Sequence, residues 1–223
     1  MKRILTLLLL FSLSASLQAQ HIQAYITAGT AVSQVEGDEL KGFNHWGLHG
    51  GIGSYAHLDD HDTWGLSIEA DYTCRGIYNR KFNELTFYNI STNLHYVDIP
   101  LTVFFHDPYG GLRIGLGLVY SRLVAQPEGT MGLRPTYFIP DTSDMSFLKN
   151  DIAPAIEFRF PLWKGLQFSA RYQYSLFPIK KDWHFTFDGK TWANDCYNSS
   201  LTFRLLWQFG DQDSHSSHKR YHR

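Results

Sequence analysis

The chain has 223 residues, 16% of them aromatic, and a formal net charge of -1 from 20 basic and 21 acidic side chains. That length suits one sizeable domain, and the charge balance lacks the basic excess that nucleic-acid binding requires. A mean hydropathy of -0.26 and the lack, past the first residues, of any run near the about 20 apolar residues of a spanning helix exclude a helical membrane protein. They leave a membrane barrel open, because only the outward half of each barrel strand must be apolar.

Residues 1–19 carry Lys2 and Arg3, an apolar run over 4–13 and the small-residue exit Leu17-Gln18-Ala19. This reads as a secretory signal peptide cleaved after Ala19, the apolar run being too short to anchor a helix. Its loss makes the mature chain more acidic by two charges. Residues 20–209 then form one domain, and 210–223 a polar tail expected in the periplasm.

Eight stretches of alternating character follow, near 22–33, 45–58, 62–77, 92–106, 111–124, 152–160, 166–178 and 197–209. Over 64–75 the alternation is cleanest. Trp64, Leu66, Ile68, Ala70, Tyr72 and Cys74 fall on one face, and Gly65, Ser67, Glu69, Asp71, Thr73 and Arg75 on the other. A period of two places successive side chains on opposite faces of a strand. One face suits lipid, and the other holds charges that need partners. Ile99, Leu101, Val103 and Phe105 repeat the apolar face, as do Leu112, Ile114, Leu116 and Leu118, then Phe168, Ala170, Tyr172 and Tyr174, and finally Leu201, Phe203, Leu205, Trp207 and Phe209.

The links alternate in length. Residues 59–61, 107–110 and 161–165 are short and rich in Asp, Pro or Gly, as tight turns require, whereas 34–44, 78–91, 125–151 and 179–196 are several times longer. With the N-terminus in the periplasm, the short turns are periplasmic and the long loops extracellular, the asymmetry of outer-membrane barrels. A soluble β-sandwich also offers eight strands, but nothing in it sorts its links by side. Trp64, Phe105, Phe160, Trp207 and Phe209 at one end and Trp46, Tyr72, Tyr120 and Tyr174 at the other suit two headgroup girdles. The expected fold is all-β, an eight-stranded antiparallel up-and-down transmembrane barrel in the outer membrane.

Tyr96-Val97-Asp98-Ile99-Pro100-Leu101, with the preceding block Gly65-Leu66-Ser67-Ile68-Glu69-Ala70-Asp71-Tyr72, resembles the repeated pattern of small Gram-negative outer-membrane barrels of the porin-family or PorT-like group. The likeness spans essentially the whole mature chain. It departs at Val97 and Asp98, where that group usually carries Leu and Glu, and at Phe209, a natural terminal aromatic that is here followed by the polar tail. The resemblance implies fold and location, and little mechanism.

By parity the inward charges are Glu69, Asp71, Arg75, Asp98, Arg113, Glu157, Arg159, Arg171 and Arg204. An eight-stranded lumen is wide enough only for its own side chains, and buried charges must be paired. The main expectation is a ladder of Arg-carboxylate pairs plugging the barrel, with inward Gly47, Gly51, Gly53, Gly115 and Gly117 making room for long side chains. The other reading makes the same charges an ion pathway or acid/base site.

No catalytic, cofactor or metal site is expected. His45, His49, His57 and His61, and the tail histidines His215, His218 and His222, stand at no spacing that also supplies a nucleophile and an orienting acid. An approach of His49 and His57 to Glu69 or Asp71 reads as inward polar filling. Cys74 and Cys196 both fall near the outer rim, as a disulfide or as two free thiols.

Function is therefore expected in the extracellular loops. Residues 125–151 carry Pro127, Pro135 and Pro140, and 179–196 carry Trp183, Phe185, Phe187 and Trp192 as exposed aromatics for adhesion, ligand capture or docking of a membrane partner. The expected partners are outer-membrane lipids and, through the loops, another outer-membrane or surface protein, with the barrel itself monomeric. The alternatives are a narrow pore for small solutes and a lipid A-modifying enzyme.

Overall fold

A computed structural model describes residues 22–38, 42–59, 61–79, 88–107, 110–126, 130–133, 138–140, 146–187 and 189–209. The expected leader, 1–19, and the expected tail, 210–223, lie outside these residues. Eight long strands form the wall: β1 (Ile22–Glu36), β2 (His45–His57), β3 (Trp64–Asn79), β4 (Tyr88–His106), β5 (Arg113–Ala125), β8 (Asn150–Trp163), β9 (Leu166–Tyr174) and β11 (Lys190–Gln208). Three shorter ones, β6 (Thr130–Leu133), β7 (Phe138–Pro140) and β10 (Lys180–Phe187), lie at the extracellular end.

Each wall strand pairs antiparallel with its neighbour in the order β1-β2-β3-β4-β5-β8-β9-β11. The circle closes where β11 returns to β1, in register from Tyr25↔Gln208 to Glu36↔Tyr197. Closure is what lipid demands, because hydrocarbon offers no partner to a free strand edge. One ladder is interrupted inside the wall. Between β3 and β4 the pairing runs to Ile68↔Leu101 and resumes at Asp71↔Asp98, a gap beside Pro100, which has no N–H to give.

The faces are inverted relative to a soluble protein. Leu116 and Leu118 on β5 are 66% and 57% exposed, while Glu157 on β8 and Arg204 on β11 are 0% and 1% exposed. The outward residues meet lipid and the inward ones meet each other.

The strand lengths differ from expectation at the extracellular end. β4 begins at Tyr88 and β11 at Lys190, giving each 19 residues, about twice the 9–11 that cross a bilayer. β9 in turn stops at Tyr174, short of 178. The segment 179–196, expected as a loop, is instead a β-hairpin: β10 pairs with the start of β11 from Lys180↔Cys196 to Phe187↔Lys190. It turns at Gly189, whose φ of 71° favours glycine. β7 adds to the outer edge of β10, and β6 pairs with the extended start of β4. The wall thus continues past the membrane as a folded β-extension.

Candidate functional site

The lumen is filled in layers that begin at the periplasmic end. Short turns at that end hold a cavity of about 210 Å³ lined by Gln23, His57, Asp62, Arg113, Lys164 and Gln208, among others. Asp62 sits between two imidazoles. Nδ1 of His57 meets its Oδ1, and Nδ1 of His106 lies 3.0 Å from its Oδ2. Burial alone would raise the Asp62 pKa, but the hydrogen bonds and charges of His106 and His57 prevail and hold it well below the usual carboxylate range. Beside it, Asp59 caps the same turn by accepting the backbone N–H groups of Thr63 and Trp64, the latter at 2.7 Å. These bonds, that of Trp64 foremost, lower its pKa.

Above the cavity lies an apolar layer of three aromatic rings, Tyr25, Tyr55 and Phe104, with Leu206. The Arg113 guanidinium stacks over Tyr55 at 4.5 Å, and that of Arg159 over Phe104 at 4.3 Å, the geometry of cation–π attraction. Glycines make this layer possible. A Cβ at Gly53 would stand 2.5 Å from Cζ of Tyr25, and one at Gly115 2.5 Å from Cε1 of Phe104.

The next layer is a cluster of three arginines and three carboxylates. Glu69 accepts from Arg159 at 2.6 Å, Arg171 at 2.8 Å and Arg204 at 2.5 Å. Glu157 meets the same three at 2.5, 2.6 and 2.5 Å. Asp71 lies 3.3 Å from Arg171 and 3.5 Å from Arg204. The Tyr25 hydroxyl donates to Glu69 and that of Ser169 to Glu157. Since β3 stands across the barrel from β8, β9 and β11, these bonds brace the lumen from wall to wall. The expected ladder of separate pairs is in fact one shared network, because the stagger of the strands brings all six groups to one level.

Two of the nine expected charges form a separate pair one level higher: Arg75 bonds Asp98 and lies over Tyr96 at 4.9 Å. Asp151, which sequence reading missed, joins this level by accepting from Ser175 at 2.7 Å. It shares the parity of Glu157, but an expected strand start at 152 hid it. Arg113, the remaining expected member, belongs to the periplasmic cavity and not to the network.

The top of the lumen is apolar. Val35, Ile77, Leu94, Tyr96, Leu123, Phe147, Ile179, Trp183, Phe185 and Cys196 form one cluster, with Trp192 packed against it. This corrects the expectation of exposed loop aromatics. Trp183 and Phe185 are 2% and 0% exposed, because the hairpin that carries them turns that face into the barrel mouth. The Phe187 side chain lies outside the described residues.

The remaining expectations separate. His49 comes within 3.8 Å of Asp71, but His57 is at the periplasmic turn, so the two histidines do not converge. Cys74 and Cys196 are free thiols. Cys196 is in the apolar plug, Cys74 is buried on β3, and β2 and β1 stand between their strands. No disulfide joins them. Among the described residues no three His, Cys, Asp or Glu side chains are grouped to hold a metal.

Known proteins place this architecture. Residues 4–209 match the family model described as outer membrane protein beta-barrel domain. No curated protein matches. Among solved structures, the attachment invasion locus protein Ail of Yersinia pestis is similar at 15% identity and a TM-score of 0.44, over 84% of this chain and 98% of that one. Neisserial surface protein A aligns at 15% identity and a TM-score of 0.46, over 83% and 97%. OprG from Pseudomonas aeruginosa aligns at 14% identity and a TM-score of 0.36, over 86% and 96%. With the family model matched across nearly its whole length, the chain belongs to the outer membrane protein beta-barrel domain family and resides in the outer membrane.

Proposed function

We propose that this protein is a closed, non-enzymatic barrel that works through its extracellular β-extension, as a surface-binding protein or a dock for another membrane protein. The observation that carries this reading is the double closure of the lumen. The Glu69–Glu157–arginine network spans the wall at mid-height, and the Trp183–Phe185–Phe147 plug fills the mouth above it. The side chains of both layers are buried, and the acceptor positions of Glu69 are taken by Tyr25, Arg159, Arg171 and Arg204, which leaves it no lone pair to act as a base. With the lumen closed, the surface-binding role is assigned to the outer surface. There Leu148, Leu176 and Phe177 stay exposed beside the hairpin, an apolar edge suited to a partner.

The test is planar-bilayer recording on the refolded protein. The expected trace is free of stable conductance, and a large steady conductance overturns the closed-lumen reading in favour of a pore. In parallel, replacing 181–195 by a short turn is expected to abolish co-purification of a partner from native membranes. A change in lipid A mass on overproduction would instead point to an enzyme.

A further inference from the structure

The periplasmic cavity is not used by the reading above, and its chemistry is one-sided. Its one carboxylate, Asp62, has each oxygen met by an imidazole. Arg113 and Lys164, its two fixed cations, therefore face the cavity with no carboxylate partner among the described residues. Arg113 is held flat by Tyr55, and its Nη1 is buried with no hydrogen-bond partner. Arg113 lines the cavity, and a charge-assisted bond from its guanidinium to an oxyanion there stabilises a cation that no carboxylate pairs.

The neutral wall adds donors. Gln167 donates to Gln208 at 2.6 Å and Gln208 donates to Gln23. This chain of amides uses the carbonyl oxygens of Gln208 and Gln23 internally, runs from the Gln167 carbonyl at one end to the Gln23 amide nitrogen at the other, and leaves that nitrogen as a donor. Lys164 is fixed at the rim by the β8–β9 turn, in a left-handed backbone conformation with φ 40°, and its ammonium lies over Trp163 at 5.6 Å. The cavity thus combines a planar fork, a point charge and an amide donor. At about 210 Å³ it is below the range of drug-sized pockets and suits a small ligand.

We propose that this periplasmic vestibule is a binding site for a small oxyanion, a carboxylate or phosphate group, gripped by Arg113 with Lys164 and Gln23 completing the cradle. The fork of Arg113 matches two oxygens of either group. A free small anion and the phosphate of an inner-leaflet lipid headgroup offer the same chemistry at this depth.

Isothermal titration of the full-length protein, refolded in a phosphate-free neutral detergent, with sodium succinate and with inorganic phosphate tests the site. Saturable binding of at least one probe is expected, weakened about tenfold or more by R113Q and partly restored by R113K. K164Q, at an exposed turn where folding is unaffected, is expected to weaken binding about threefold. A repeat in phosphatidylglycerol nanodiscs separates the sources, since a resident headgroup blocks the probe there and a free-anion site still binds it. Absence of saturable binding in detergent, or binding that K164Q and the two Arg113 variants all leave unchanged, overturns the proposal. Heat-modifiable migration on gels establishes that each variant is folded.

Discussion

In the middle of the lumen Glu69 and Glu157 each meet three guanidinium groups, while at its top Phe147, Trp183 and Phe185 meet one another. The same wall is closed in two ways. The charged layer is a fixed stoichiometry: each carboxylate answers particular arginines, and removing one member strands the others in a medium that cannot solvate them. The apolar layer has no such accounting. Its members need only be large and fit together, so that a neighbour of similar volume serves nearly as well. Mid-lumen closure is therefore specific and brittle, and closure at the mouth is generic and tolerant.

That contrast can be broken by mutation. The largest expected effect is E69A, which leaves three arginines short of a partner and should cost about 3–5 kcal/mol. Urea unfolding of the protein refolded into phospholipid vesicles, followed by tryptophan fluorescence, measures it. The double variant E69A/R204A should lose less than the sum of the two singles, and strict additivity would mean that the network is not a unit. Next comes G53A. Its Cβ would stand 2.5 Å from Tyr25, and because Tyr25 donates to Glu69 the push reaches the network. A loss of about 1–3 kcal/mol is expected.

In the plug, F185L should cost only about 1 kcal/mol, with conductance still absent because the network below remains shut. A loss as large as that of E69A would erase the distinction between the two layers.

The smallest effect concerns the periplasmic turn. Asp62 is held below its ordinary value of 3.8 in the folded protein. Its contribution is therefore fully present above that pH and is lost as pH falls through the folded value. The group is partly exposed, so the effect should stay under about 1 kcal/mol. Between pH 7 and pH 3 the unfolding midpoint of D62N should fall less than that of the unaltered protein, and equal falls would remove the His57–Asp62–His106 contact as a stabilising element.

The wall was legible in the sequence because lipid outside and charge inside impose a period of two with large contrast. The same parity turns all nine expected charges inward, and eight of them belong to the network or to the Arg75–Asp98 pair. It cannot say which charges share a level, since that depends on the stagger between strands, and so six groups in one network read as a ladder.

The hairpin was missed although its signal is present. Asp188-Gly189 between Phe185-Thr186-Phe187 and Lys190-Thr191-Trp192 is a strong two-residue turn flanked by alternation. Its length past the membrane made it read as a loop. The inward burial of Trp183 and Phe185 follows from where the hairpin leans, which is tertiary information. The pairing of His57 with Asp62 and His106 depends likewise on two separate turns meeting at one rim.

Glu69 and Asp71 stand on the third strand of the wall, and Arg171 and Arg204 on its last two. A chain inserted from its N-terminus would carry two bare carboxylates into the bilayer long before their counterions arrive, and hydrocarbon does not tolerate that. Keeping the concave side of the unfinished sheet wet solves this, and the counterions arrive in turn, Arg159 with β8, Arg171 with β9 and Arg204 with β11, so that the network is complete only with the last strand.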